Sequence, residues 1–177
     1  MKNTFTNNLQ NMVEEFHVKF GHPHEEKPKA LELERITNRT VWTVEEFVAE
    51  LLHASSKNKE EFAKAYYEVL KGLKKAYLEQ LEVEFIQDDE ERIVAQADAL
   101  TDGIYFAMGS AVELGVDIEK VFSIVQDANM SKLFTDEKTG EKYAKQRPDG
   151  KIIKSPDFYQ PEEFIREEIK SQINKSN

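Results

Sequence analysis

The sequence predicts an all-α protein: a bundle of four long helices, an extra N-terminal helix and an irregular, basic C-terminal arm with a short hairpin. Three observations predict it. Apolar residues recur at helical spacing through most of the first 134 positions. A third of the 177 residues are charged and only 7 are Gly. After Phe134 the helical pattern gives way to a stretch rich in Lys, with Gly and Pro turn signals.

The elements follow in order. Phe5, Leu9, Met12, Val13, Phe16 and Phe20 share one helical face, and Gly21 stops that helix. His22 to Lys29 is a loop, and Pro28 suits the first turn of a second helix carrying Leu31, Leu33 and Ile36. Between Thr37 and Thr43 the helix either continues or breaks near Trp42. Thr43-Val-Glu-Glu46 reads as a capping box opening a helix through Leu52 and Ala54. Ser55 to Asn58 is a turn. A long helix runs from about Lys59 to Phe85, a break spans Gln87 to Asp89, and another long helix reaches Leu114, ended by Gly115. Asp117 is placed to cap a helix running to about Leu133. The arm carries a turn at Pro148-Asp149-Gly150, between EKYAK and KIIKS, and an amphipathic helix closes the chain. Residues 1–134 are read as the main helical part, and 135–177 as an arm and helix of the same domain.

Composition narrows function. The formal net charge is −10, which argues against general binding of nucleic-acid polymers or anionic membranes. No Cys is present, which removes disulfides, thiolate metal sites and thiol nucleophiles. The N-terminus is polar and amphipathic without an apolar signal core, so the expectation is a cytoplasmic protein.

The most informative segment is Ile93 to Val112, whose only charges are Asp98 and Asp102. The rest is apolar, small or neutral polar on every face, which reads as a buried helix. Two central Asp would each cost roughly 2.5–3.5 kcal/mol in a membrane, which opposes a membrane span. Residues four apart share a helical face, so the two carboxylates repel and need a cation, a basic side chain or a proton from elsewhere. A second cluster, Glu45, Glu46 and Glu50, repeats that spacing beside Phe47, Val48 and Leu51. Glu45 and Glu46 also suit a helix start by themselves. Together, two helices with paired carboxylates offer hard oxygen ligands suited to Mg²⁺ bound with a substrate polyphosphate.

These residues resemble a known group. DALTDGIYFAMGSAVELGVD followed by VFSIVQDANMSKL is similar to the all-α nucleoside triphosphate pyrophosphohydrolases, which include MazG, phosphoribosyl-ATP pyrophosphohydrolase and the dimeric dUTPase-like enzymes. EEFHVKFGHP resembles their first helix, Arg39 with the Glu cluster their acidic helix, and DGKIIKSPDFYQPE their basic C-terminal segment. The resemblance covers about Met12 to Glu162. It implies a MazG-like four-helix fold, a homodimer or homotetramer, and Mg²⁺ dependence with Mn²⁺ as a substitute. It also implies cleavage of an NTP or dNTP to the monophosphate and pyrophosphate. Metal-binding roles pass to Glu46, Glu50 and Asp102. The group spaces its acidic pairs by three, where this chain has four: the position three before Asp102 is Ala99, so Asp98 takes that role, and the one three before Glu50 is Phe47, so Glu46 or Glu45 substitutes. Glu45 is the first candidate to orient or deprotonate the attacking water, and Glu46 the second.

Positive charge for the phosphates comes from the arm. Lys138 to Lys154 holds six cations against Glu141 and Asp149, a local +4. Beside Asn129 and Lys132, Lys151 and Lys154 are candidate phosphate contacts. Arg39 and Tyr105 are further substrate candidates, although Arg39 also suits an ion pair with the Glu cluster and Tyr105 a core position. Trp42 is expected buried at a helix junction, and His22 and His24 at the surface. Phe16 and His17 line a base pocket by analogy alone. Two other readings compete: a di-iron carboxylate bundle, from Glu14-x-x-His17 and Glu50-x-x-His53, and a non-catalytic helical interaction protein.

Overall fold

A computed structural model describes residues 4–148 and 150–175, with side chains from residue 8 onward. Asp149 of the expected turn, and the side chain of Phe5, lie outside the described residues. The helices are α1 (Thr4–Phe20), α2 (Leu33–Val44), α3 (Leu51–Ser55), α4 (Lys59–Leu81), α5 (Asp89–Leu114), α6 (Ile118–Met130) and α7 (Glu162–Lys175). A π-helical turn, Glu45–Glu50, joins α2 to α3 without a break. Four two-residue strands complete the chain: β1 (Phe134–Thr135), β2 (Lys142–Tyr143), β3 (Lys145–Gln146) and β4 (Ile152–Ile153). They form two antiparallel ladders, β1 with β2 and β3 with β4. The class is all-α with short hairpins, as the apolar periodicity predicts.

The chain divides into two compact units, residues 1–27 with 101–177, and residues 28–100. In the first, α1 packs on α6 and α6 on α7. Leu9, Phe20, Ala128 and Leu133 are its buried apolar side chains. Polar groups tie the layer together. Buried Gln126 donates through Nε2 to the Met12 carbonyl at 2.8 Å, and Gln146 to the Phe20 carbonyl at 2.8 Å. Gln172 meets both backbone groups of Asp117, accepting from its N–H at 2.8 Å and donating to its carbonyl at 3.3 Å. Gly21 and Gly115 take the left-handed conformation, φ 66° and 72°, that ends α1 and α5.

In the second unit, α2, the π turn, α3 and α4 pack in sequence. Asn58 caps α4, its Oδ1 accepting from the Glu61 N–H at 2.9 Å, while the Glu61 carboxylate accepts from the Lys57 N–H at 2.9 Å. Gln96 holds the strand-like approach to α2, accepting from the Leu31 N–H at 2.8 Å and donating to the Leu31 carbonyl at 3.1 Å. That two-point clamp occupies the backbone a helix would need, so α2 opens at Leu33 rather than at Pro28.

Other expectations are corrected. Thr43 opens no new helix: its hydroxyl donates back to the Arg39 carbonyl at 3.0 Å and the coil continues. α4 stops at Leu81 rather than near Phe85: the Glu82 and Val83 N–H groups bond the Glu79 and Gln80 carbonyls, three residues back, each at 3.3 Å, which tightens the last turn and ends the coil. Asp88 caps α5 instead, accepting from the Glu91 N–H at 2.9 Å. The Asp117 side chain makes no cap, because its carboxylate pairs with Lys120 at 3.1 Å. Trp42 is half exposed, with the Arg35 guanidinium 5.6 Å from its ring centre. His22 is half-buried and stacks on Phe16 at 5.5 Å. The segment 93–112 is not buried within one chain: Tyr105 is 77% exposed and Val112 78%.

Candidate functional site

The acidic candidates sit on two helical stretches. In the π turn the Leu51 N–H bonds the Glu46 carbonyl, five residues back, which widens the coil where Glu45, Glu46 and Glu50 project. All three are exposed. Glu45 also lines an apolar cleft of about 210 Å³ with Val41, Val44, Val48 and Tyr66. The cleft wall continues into α4, where Phe62 packs edge-on against His53 at 5.8 Å and beside Tyr66 at 5.8 Å.

Asp98 and Asp102 lie one turn apart on α5, both exposed. None of the five carboxylates makes an ion pair or a side-chain hydrogen bond with a described residue. Arg39 does not pair with the Glu cluster either. Among the described residues no three His, Asp or Glu side chains converge closely enough to hold a metal. Carboxylate oxygens are the ligand type a hard divalent cation takes, and no described Lys or Arg forms an ion pair with any of the five. Of the iron-type pairs, His17 is engaged through Nδ1 with the Pro23 carbonyl at 2.7 Å, and the His53 ring packs on Phe62.

The basic candidates gather where α6 meets the arm. Lys132 is half-buried just past the end of α6, and its Nζ donates to Asn129 Oδ1 at 2.6 Å. Burial, and then repulsion from Lys154, hold the Lys132 ammonium below its ordinary lysine pKa. The Lys154 Nζ lies 4.1 Å from the centre of the Phe158 ring, and the Lys132 Nζ lies 6.0 Å from it. Buried Ser155 fixes this arrangement. Its N–H donates to the Lys132 carbonyl at 3.2 Å and its hydroxyl to the Ser131 carbonyl at 2.8 Å. Lys151 lies apart on the β3–β4 turn, exposed, its carbonyl accepting from the Arg147 N–H at 2.9 Å. Tyr105 projects from α5 into solvent.

Asn129, Lys132 and Lys154 are thus brought together, and so are Glu45, Glu46 and Glu50. The sequence reading missed Ser155 and Phe158, which organise the lysines. The signal available was the pairing of SKL with KSPDF, two short runs that only the tertiary fold brings side by side. It also missed the π turn, which has no composition of its own.

Residues 13–129 match the phosphoribosyl-ATP pyrophosphohydrolase family. A crystal structure from Exiguobacterium sp. 255-15, described as a "putative NTP pyrophosphohydrolase", is similar with a TM-score of 0.90 and 38% identity, over 96% of this chain and 98% of that one. No curated protein matches the chain. The family match contains all five acidic candidates and ends at Asn129, so the lysine arm lies beyond it.

Proposed function

We propose, from the premise that this chain belongs to the phosphoribosyl-ATP pyrophosphohydrolase family, that it cleaves a nucleoside triphosphate to the monophosphate and pyrophosphate with a divalent cation. The chain is a hydrolase acting on phosphoric anhydrides, with the MazG-like all-α fold. The observation that carries the cation dependence is the set of five uncompensated carboxylates inside the matched segment.

Glu46, Glu50, Asp98 and Asp102 would hold Mg²⁺, or Mn²⁺ in its place. When bound, the cation supplies positive charge to the phosphate oxygens. Glu45, next to the ligands and at the edge of the apolar cleft, orients the attacking water and accepts its proton, with Glu46 as the second candidate. The elements of water add across the α–β anhydride, the bridging bond breaks and pyrophosphate leaves with its oxygen. Asn129, Lys132, Lys151 and Lys154 contact the phosphates, and Arg39 and Tyr105 contact the rest of the nucleotide. The apolar side chains exposed on α4 and α5 pack against a second copy, giving a homodimer or homotetramer. Binding to nucleic-acid polymers plays no part in this reading, since the chain carries a net charge of −10.

A chelation experiment tests the cation requirement. Pyrophosphate release should stop in excess EDTA and return with added Mg²⁺ or Mn²⁺. Turnover that survives thorough chelation contradicts the proposal.

A further inference from the structure

We propose that Gln96 is a positioning residue for the cation-binding carboxylates: it sets the spacing between α5, which carries Asp98, and the coil that carries Glu45, Glu46 and Glu50. This rests on the cation-dependent reaction proposed above, in which Gln96 has no part of its own. Bonding, place and leverage carry it.

Gln96 is half-buried on α5 and spends both ends of its amide on one residue. Its Oε1 accepts from the Leu31 N–H at 2.8 Å, and its Nε2 donates to the Leu31 carbonyl at 3.1 Å. A side-chain amide offers a donor and an acceptor together, so one residue satisfies both groups of a partly buried peptide backbone.

The two ends of this clamp stand beside the acids. Leu31 lies two residues before α2 opens at Leu33, and the coil then runs without a break through the π turn to Ser55. Glu45, Glu46 and Glu50 are carried on that coil. Gln96 lies two residues before Asp98. The clamp therefore ties the root of one acid-bearing coil to the other acid-bearing helix.

Helix geometry makes the root matter. Glu46 lies roughly 20 Å along the coil from Leu33, at a rise of about 1.5 Å per residue. A swing of about 6° at the clamp displaces it by about 2 Å, as much as a whole Mg²⁺–oxygen bond. Exposed carboxylates can turn onto a cation by rotating about their own bonds. Rotation does not set the distance between two helices, and the clamp does.

Two measurements on the full chain test this, both without nucleotide or turnover. In a Mn²⁺ titration followed by the paramagnetic resonance of the free ion, wild type should bind, and Gln96→Met should lose affinity by about tenfold or more. Methionine keeps the length and helix preference of glutamine but cannot make this pair of bonds. Hydrogen exchange at the Leu31 amide reads the clamp directly. It should be slow in wild type and fast in Gln96→Met. Saturating Mg²⁺ should slow it further in wild type, by up to the factor of affinity that the variant loses, because coupling is reciprocal. A clamp that serves stability alone protects Leu31 with no response to Mg²⁺. Equal Mn²⁺ affinity in a folded Gln96→Met, or a wild-type Leu31 amide indifferent to Mg²⁺, overturns the inference. The exchange measurement on wild type decides even if Gln96→Met fails to fold. A wild type that binds Mn²⁺, with unchanged affinity in the variant, loses this inference alone. A wild type that binds neither ion loses the cation site proposed above, and this inference with it.

Discussion

Asp98 and Asp102 repel each other across one helical turn and find no cation among the described side chains. A pair so placed gives nothing to the stability of α5, and the proposed cation site is what would give it a use. Asp102→Ala should therefore abolish turnover while the helical circular dichroism and melting temperature stay at or above those of wild type. Full activity in that variant would sink the assignment. Ser155 makes the opposite prediction. Its hydroxyl serves two hydrogen bonds in a buried place, so Ser155→Ala should lose about 1–3 kcal/mol of unfolding free energy. Denaturant unfolding measures this, and a loss near zero would remove its role as a staple. At this scale the charged candidates were legible, because acids on an apolar helix and lysines in an acidic chain stand out from their surroundings. Ser155 and Phe158 did not, because small polar and aromatic residues in an aperiodic arm carry no pattern until the fold pairs them.

Helices followed the apolar period closely, whereas their ends followed local hydrogen bonds that the period cannot show. The start of α2 depends on Gln96, 65 residues from Leu31. The supposed capping box at Thr43 failed because a threonine hydroxyl can also bond the carbonyl one turn back without interrupting the coil. The π turn is the same kind of event: one wider loop of helix, marked by the Leu51 N–H bonding the Glu46 carbonyl five residues back. Asn58 is the cap that the sequence did mark correctly as a turn. Asn58→Ala should destabilise the chain by about 1 kcal/mol, read as a lower denaturation midpoint, and an unchanged midpoint would show that α4 does not need this cap.

Across the whole chain, no residue between 28 and 100 is fully buried. A helical unit of that length cannot offset its loss of chain entropy without burying apolar surface. Leu73, Tyr77, Leu78 and Leu81 of α4 stand in solvent, as do Leu100, Ile104 and Phe106 of α5. The sequence pattern read this stretch of α5 as buried, and the proposed second copy would make that reading true of the assembly while it is untrue of one chain. Light scattering should give a dimer or tetramer, and Leu73→Glu with Leu78→Glu should shift it toward monomer; a monomeric wild type contradicts the assembly. No helix among the described residues is long and apolar enough to cross a membrane.

The central claim is the reaction itself. A panel of NTPs and dNTPs, incubated with the purified chain and Mg²⁺, should be scored separately for pyrophosphate and orthophosphate. The account predicts pyrophosphate and the nucleoside monophosphate in equal amounts from at least one of them. Orthophosphate as the direct product, or no product from any nucleotide, would contradict it.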